Sequence, residues 1–262
     1  MIGAEAAQVH VESVGAGPPL VLLHGFAMHG GLFAPLLPAL ARAHRVHVVD
    51  LPGHGRSPAI ARFDLASLAD AIDAALGDDA PITVLGWSLG GQVALQWALA
   101  HPRRVRRLIL VASTPSFVRR DGWPHAMTAA TLARFGDELA VSYRLTLQRF
   151  LALQVHGSEE GRAALAQLRR RLFERGEPSP AALAAALALL QRTDLRPVLA
   201  RIATRTLVVG GERDALVPIE ATRALAAGLA NAAHATIEGA AHAPFLSHRQ
   251  AFLDALARDA DD

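Results

Sequence analysis

The 262-residue chain has no cysteine, which excludes disulfides, Cys-ligated zinc and thiol catalysis. It also has no lysine, so all 26 basic residues are arginine, and there is a single tyrosine. Almost nothing titrates between the histidines and pH 10. The pI near 10.2 therefore rests on a formal charge of only +2 and is weak evidence for nucleic-acid binding. No apolar run is long. The longest, residues 181–190, falls far short of a membrane span. Residues 1–8 lack the basic and apolar regions of a secretion signal. These absences lead to the expectation of a soluble, cytoplasmic protein with no membrane or nucleic-acid partner. Cofactors are expected to be absent too. No His and carboxylate spacing suits a metal, and the loop Gly53-His54-Gly55 lacks the third glycine and following helix of a dinucleotide site.

What is present is a 52% apolar chain, enough for one sizeable packed core. Its organising stretch runs from Val84 to Leu95. The apolar run Ile82 to Leu85 reads as a buried strand, and a helical pattern follows from Gly91 to about Ala100. Between them lies Gly86-Trp87-Ser88-Leu89-Gly90, a G-x-S-x-G pattern. A chain that reverses from strand to helix in so few residues must hold its serine in a strained turn, with glycines leaving room on either side. The hydroxyl then stands clear of the sheet at a helix N-terminus.

Further strands are expected at 8–14, 20–23, 46–50, 107–112, 205–210 and 234–237, with helices at 32–43, 65–76, 219–229 and at the end of the chain. This alternation predicts an α/β protein with a mostly parallel, doubly wound sheet, whose reactive groups collect on loops beyond the carboxyl ends of the strands. Ser88, Asp214 and His242 each follow a strand, in the chain order Ser…Asp…His that belongs to this architecture. They are the expected nucleophile, acid and base. The turn His24-Gly25-Phe26 follows another strand, so the backbone N–H groups of Phe26 and Leu89 are the expected oxyanion donors. His24, Asp50, Asp194 and His248, the last expected inside the terminal helix, are weaker candidates.

The alternation stops between 117 and 190. That region has helical periodicity throughout, broken at Gly122-Trp123-Pro124, Gly136, Gly157-Ser158 and Gly176-Glu177-Pro178. It reads as a lid of four helices inserted into a core formed by residues 1–116 and 191–262. From Phe117 to Arg192 arginines outnumber acids, whereas acids outnumber arginines over the rest of the chain. That imbalance is either a solvated helical face or a patch for an acidic partner.

With these residues in place, the chain resembles the α/β-hydrolase superfamily along its whole length. More narrowly it resembles the pimeloyl-acyl-carrier-protein methyl ester esterases. The discriminating stretches are Arg149-Phe150-Leu151-Ala152-Leu153-Gln154 and Ala240-Ala241-His242-Ala243-Pro244-Phe245. The resemblance implies hydrolysis of a methyl ester on a pimeloyl chain held by acyl carrier protein, in biotin synthesis; the chain is separately expected to act as a monomer. The resemblance also implies substrate contacts at Phe26, Ser88, Leu89, Phe150, Leu151, Ala152, Leu153, Gln154 and His242, and carrier contacts at Arg149 and Arg162. Arg144 and Arg169 are nearby basic residues without a strict match. The chain departs from the family at Phe26, where tryptophan is usual. A general carboxylesterase, an enol-lactonase or a carbon–carbon bond hydrolase would share the triad but need no carrier. A catalytically silent binding module is disfavoured because no triad member is missing.

Overall fold

The computed structural model describes residues 9–77, 80–158 and 160–261. The expectations for residues 1–8, including the first position of the expected 8–14 strand, lie outside them. Seven strands form one sheet in the order β1-β3-β2-β4-β5-β6-β7. They are β1 Val11–Val14, β2 Pro19–Leu23, β3 Arg45–Val49, β4 Ile82–Trp87, β5 Val105–Val111, β6 Arg205–Gly211 and β7 Ala232–Ile237. Only β1 runs antiparallel to its neighbour. Strands β2, β4 and β6 are near-continuous apolar runs because helices cover both faces of the sheet.

Strand order reverses between β2 and β4, so the connections leaving these two strands depart in opposite directions. Crevices open at such switch points, beyond the carboxyl ends of the strands. Leu23 pairs with Gly86 across this junction, which sets the His24-Gly25-Phe26 turn beside Ser88.

Among the core helices are α1 Leu37–Leu40, α2 Leu65–Leu76 and α3 Leu89–Ala100. Asp64 caps α2 by accepting from the Ser67 amide at 2.9 Å, and Gly77 closes it at φ 61°. Helix α3 carries buried residues nearly all round, as a helix packed between the sheet and a neighbouring helix must. Between β5 and β6 lie α4 Ala129–Val141, α5 Tyr143–Val155, α6 Gly161–Arg171 and α7 Pro180–Arg192, in the region expected to form a lid. The chain returns through α8 Ile219–Gly228, α9 Pro244–Ser247 and α10 Arg249–Asp261. Among the described residues no helix is long and apolar enough to cross a membrane.

Three local expectations are corrected. The helix expected at 32–43 is a 3₁₀ turn, Gly30–Phe33, followed by the short α1. Pro35 has no N–H with which to continue a ladder, and Pro38 is tolerated only because it sits in the first turn of α1. Gly136 does not break a helix but lies inside α4. A Cβ there would come within 2.6 Å of Leu187 Cδ2, so the glycine serves the close approach of α4 to α7. The break falls at Ser142 instead, at φ −139° and ψ 57°. Finally, His248 is not inside the terminal helix but divides α9 from α10 at φ −120° and ψ 51°. Its ring nitrogen pairs with Ser247 Oγ at 2.9 Å, and such short polar contacts compete with the helical ladder.

Candidate active site

Ser88 links β4 to α3 at φ 56° and ψ −116°, a conformation that costs a non-glycine residue on the order of 1–3 kcal/mol. The surrounding backbone holds it there. The Ser88 amide donates to Val111 O at 2.9 Å, and Ser88 O accepts from the Gly91 amide at 2.9 Å and from Ser113 Oγ at 2.8 Å. The flanking glycines are required by contact distance. A Cβ on Gly86 would meet Gly90 O at 2.4 Å, and one on Gly90 would meet Leu23 O at 2.4 Å. Both obstacles are backbone and cannot swing away. Gly90→Ala is therefore expected to lower stability by about 1–3 kcal/mol, read as a shift in the urea midpoint at unchanged slope, with turnover falling alongside.

Asp214 and His242, the expected acid and base, lie on the loops beyond β6 and β7. His242 Nδ1 lies 2.7 Å from Asp214 Oδ2, and both side chains are almost fully buried. Asp214 Oδ1 accepts from the amides of Leu216 and Val217 at 2.8 and 2.9 Å. The two loops meet because Gly211 has no side chain, since a Cβ there would sit 2.1 Å from Ala241 O. The His242 backbone is pinned at both ends: its amide donates to Gln154 O at 3.0 Å, and its carbonyl accepts from Trp87 Nε1 at 2.8 Å. With Nδ1–H given to Asp214, Nε2 carries the lone pair that a general base needs. Among the described residues no hydrogen bond joins Ser88 Oγ to the imidazole. Such contacts often tighten only when substrate is bound.

Gly25 approaches the serine so closely that a Cβ on it would meet Ser88 Cβ at 3.2 Å. The turn continues through Ala27 at φ 60°, with the Met28 amide donating to Gly25 O at 3.2 Å. Neither the Phe26 nor the Leu89 amide donates to the backbone among the described residues. Leu89 opens α3, where the first amides have no partner within the helix. Both N–H groups are thus left without a backbone partner among the described residues, as donors to an oxyanion would have to be.

Ser88 and His242 open into one cavity of about 110 Å³, lined otherwise almost wholly by apolar side chains. Of the residues that the family resemblance implied, Phe26, Phe150 and Leu153 line it. Leu151, Ala152 and Gln154 do not, because they fall on other faces of α5, and Leu151 and Gln154 are buried. Leu89, also buried, does not line it either. The sequence reading missed the opposite wall, formed by Leu132 and Phe135 of α4 and by Leu187 and Leu190 of α7. Each pair is spaced i, i+3, the spacing of one helix face. Core-packing residues share that spacing, so it could not single out a cavity wall. The Phe26 ring meets the rings of Phe135 and Phe150, each at 5.9 Å between centroids.

The weaker candidates lie elsewhere. Asp50 is buried and accepts from the Gly30 amide at 2.7 Å, the Arg56 amide at 2.9 Å and Arg175 at 3.1 Å. It ties the turn after β3 to the segment that follows α6. Asp194 is held by Arg196. His24 lies behind the Gly25-Phe26 turn, its ring bonded to Gly25 O, and burial pushes the neighbouring His54 down to about 4. Arg149 and Arg162 are exposed on α5 and α6, and neither forms an ion pair among the described residues. Arg144 pairs with Glu177 and lies 5.3 Å from the Phe173 ring centroid. Arg169, at the end of α6, is exposed.

A parallel sheet with this connectivity, a strained serine between strand and helix and a buried His–Asp pair define a class, the α/β hydrolases. The family model described as alpha/beta hydrolase fold matches residues 18–249, and the chain belongs to that family. Over 252 residues it is 47% identical to the pimeloyl-[acyl-carrier protein] methyl ester esterase of Xanthomonas campestris pv. campestris (strain B100), covering 95% of this chain and 98% of that one. It is 46% identical over 247 residues to the protein of that name from Chromobacterium violaceum, covering 94% and 96%. Identity at this level over nearly the full length of both chains places it among these esterases. Among solved structures, an esterase from Exiguobacterium antarcticum superposes with a TM-score of 0.89 at 26% identity, covering 97% of this chain and 96% of that one. A bromoperoxidase from Bacillus anthracis, at 21% identity and a TM-score of 0.88, shares the fold.

Proposed function

We propose that the chain hydrolyses the methyl ester of a pimeloyl group carried on acyl carrier protein, releasing methanol and the carrier-bound free acid, in biotin synthesis. The single observation that carries the chemistry is the 2.7 Å His242–Asp214 pair opening into the same apolar cavity as the strained Ser88. His242 Nε2 takes the Ser88 proton as Oγ attacks the ester carbonyl. The negative oxygen that forms is met by the N–H groups of Phe26 and Leu89. Collapse breaks the bond to methoxide, which leaves as methanol with the proton from His242. Water, deprotonated by His242, then attacks the acyl-serine, and the carboxylate departs as Ser88 recovers its proton. Asp214 fixes the imidazole tautomer and stabilises the transient imidazolium. The chemistry draws on these side chains and two amides, and action as a monomer in the cytoplasm is part of the proposal.

The apolar walls suit a methylene chain, and the basic lid suits an acidic carrier. Arg149 and Arg162 are the proposed contact points, being exposed and without an intramolecular ion pair among the described residues. Such charges steer encounter and are screened over about 8 Å at physiological salt. Reversing both to Glu is expected to raise KM for the carrier-linked ester about tenfold or more, with little change for a small free ester. Added salt should weaken the wild type in the same direction. Equal losses on both substrates would assign these arginines to lid folding. The likeness to the Exiguobacterium esterase favours a second reading, a general short-chain esterase indifferent to any carrier. No loss on either substrate would support it.

A further inference from the structure

Both proposed oxyanion amides belong to peptide units whose carbonyls are held from behind by a buried side chain. The first unit joins Gly25 to Phe26. His24 Nδ1 lies 2.8 Å from Gly25 O, and His24 Nε2 accepts from the Leu51 amide at 2.9 Å. Because Nε2 accepts, the ring proton is on Nδ1, and Nδ1–H donates to Gly25 O. Burial, reinforced by the neighbouring His54, pushes His24 down to about 3, so this neutral tautomer persists throughout the working pH range. The second unit joins Ser88 to Leu89. Ser113 Oγ donates to Ser88 O at 2.8 Å. His24 and Ser113 are both completely buried, and neither is part of the triad.

No peptide bond is cis among the described residues. In a trans unit the C=O and the next N–H point in opposite directions. Fixing Gly25 O toward His24 therefore turns the Phe26 N–H the other way, and fixing Ser88 O toward Ser113 does the same for the Leu89 N–H. Each carbonyl also accepts one amide, from Met28 at 3.2 Å and from Gly91 at 2.9 Å, so each plane is held by two donors. The arrangement is the same on two strands unrelated in sequence.

We infer that His24 and Ser113 are a matched pair of positioning residues that preset the two halves of the oxyanion hole by anchoring the carbonyls behind them. The inference rests on the serine-hydrolase reading above. An oxyanion hole acts because its donors are already aimed before charge develops. Loss of either anchor frees one peptide plane to rotate, which weakens the transition state while leaving substrate binding in the apolar cavity unchanged.

The test uses Ser113→Ala and His24→Phe, with Ser88→Ala alongside. His24→Phe keeps an aromatic ring but leaves the Leu51 amide unpaired, so Ser113→Ala, which removes one hydroxyl, is the variant that keeps the test sound if the other does not fold. With p-nitrophenyl butyrate, each folded anchor variant is expected to lose about tenfold in kcat, less than the 10²–10³ for deleting a donor outright. KM should stay within about twofold. Affinity for hexylboronic acid, which forms a tetrahedral adduct on the serine, should fall by the same factor as kcat. Wild-type kcat and boronate affinity in Ser113→Ala, with Ser88→Ala inactive, would overturn the positioning role and leave the hydrolase reading intact. Loss of melting temperature together with a raised KM and unchanged boronate affinity would also overturn it, as a purely structural effect. An active Ser88→Ala would remove both readings together.

Discussion

Ser88→Ala is expected to yield a folded protein with turnover reduced about 10⁴-fold or more, because loss of the nucleophile removes what the triad achieves as a unit. Stability should change by no more than about 0.5 kcal/mol. The residue is buried, with 8% of its surface exposed, and its hydroxyl bonds to no other described residue. The elbow is held by backbone contacts that alanine keeps, at Val111 O, the Gly91 amide and Ser113 Oγ. A melting curve that overlays the wild type, together with loss of labelling by an active-site serine reagent, is the expected pair of observations. Retention of more than about a tenth of wild-type turnover, set against the expected factor, would remove Ser88 from the role of nucleophile.

The second large effect concerns the acid. Asp214→Asn should lower kcat by about 10³–10⁴-fold with little change in KM, since an amide can offer N–H to the imidazole and favour the wrong tautomer. Asp50→Asn should do the reverse. Asp50 holds two amides and Arg175 in a buried site, so its loss leaves polar groups unpaired and lowers the melting temperature. Turnover per folded molecule should remain within about tenfold of the wild type. The contrast is measured by kinetics normalised to folded protein. A dead Asp50 variant beside an active Asp214 variant would reverse the assignment.

Much of this site could be read from the chain because its parts are local. Gly86, Ser88 and Gly90 stand two residues apart where β4 passes into α3, and Asp214 and His242 each stand a few residues beyond an apolar strand. The chain order of three loops on a parallel sheet then brings them to one edge. The cavity wall could not be read in this way. Leu132, Leu187 and Leu190 come from helices whose mutual packing depends on distant contacts, such as Leu187 filling the space that Gly136 leaves in α4. Two local rules were also overridden. Apolar spacing at 32–43 suggested a helix that Pro35 and Pro38 forbid, and Gly136 suggested a break where close packing was the reason for glycine. The Arg175 link from the lid to Asp50 and Glu12 spans more than a hundred residues and has no local pattern at all.

The most direct test of the proposed function is mass analysis of pimeloyl methyl ester on acyl carrier protein after incubation with purified protein. Conversion to the carrier-linked free acid, by loss of one methylene mass with the carrier thioester intact, is the predicted result. It should be faster than hydrolysis of a short free ester at equal concentration and absent with Ser88→Ala. Release of the whole acyl chain from the carrier, or an unchanged carrier-linked ester while short esters are hydrolysed, would contradict it.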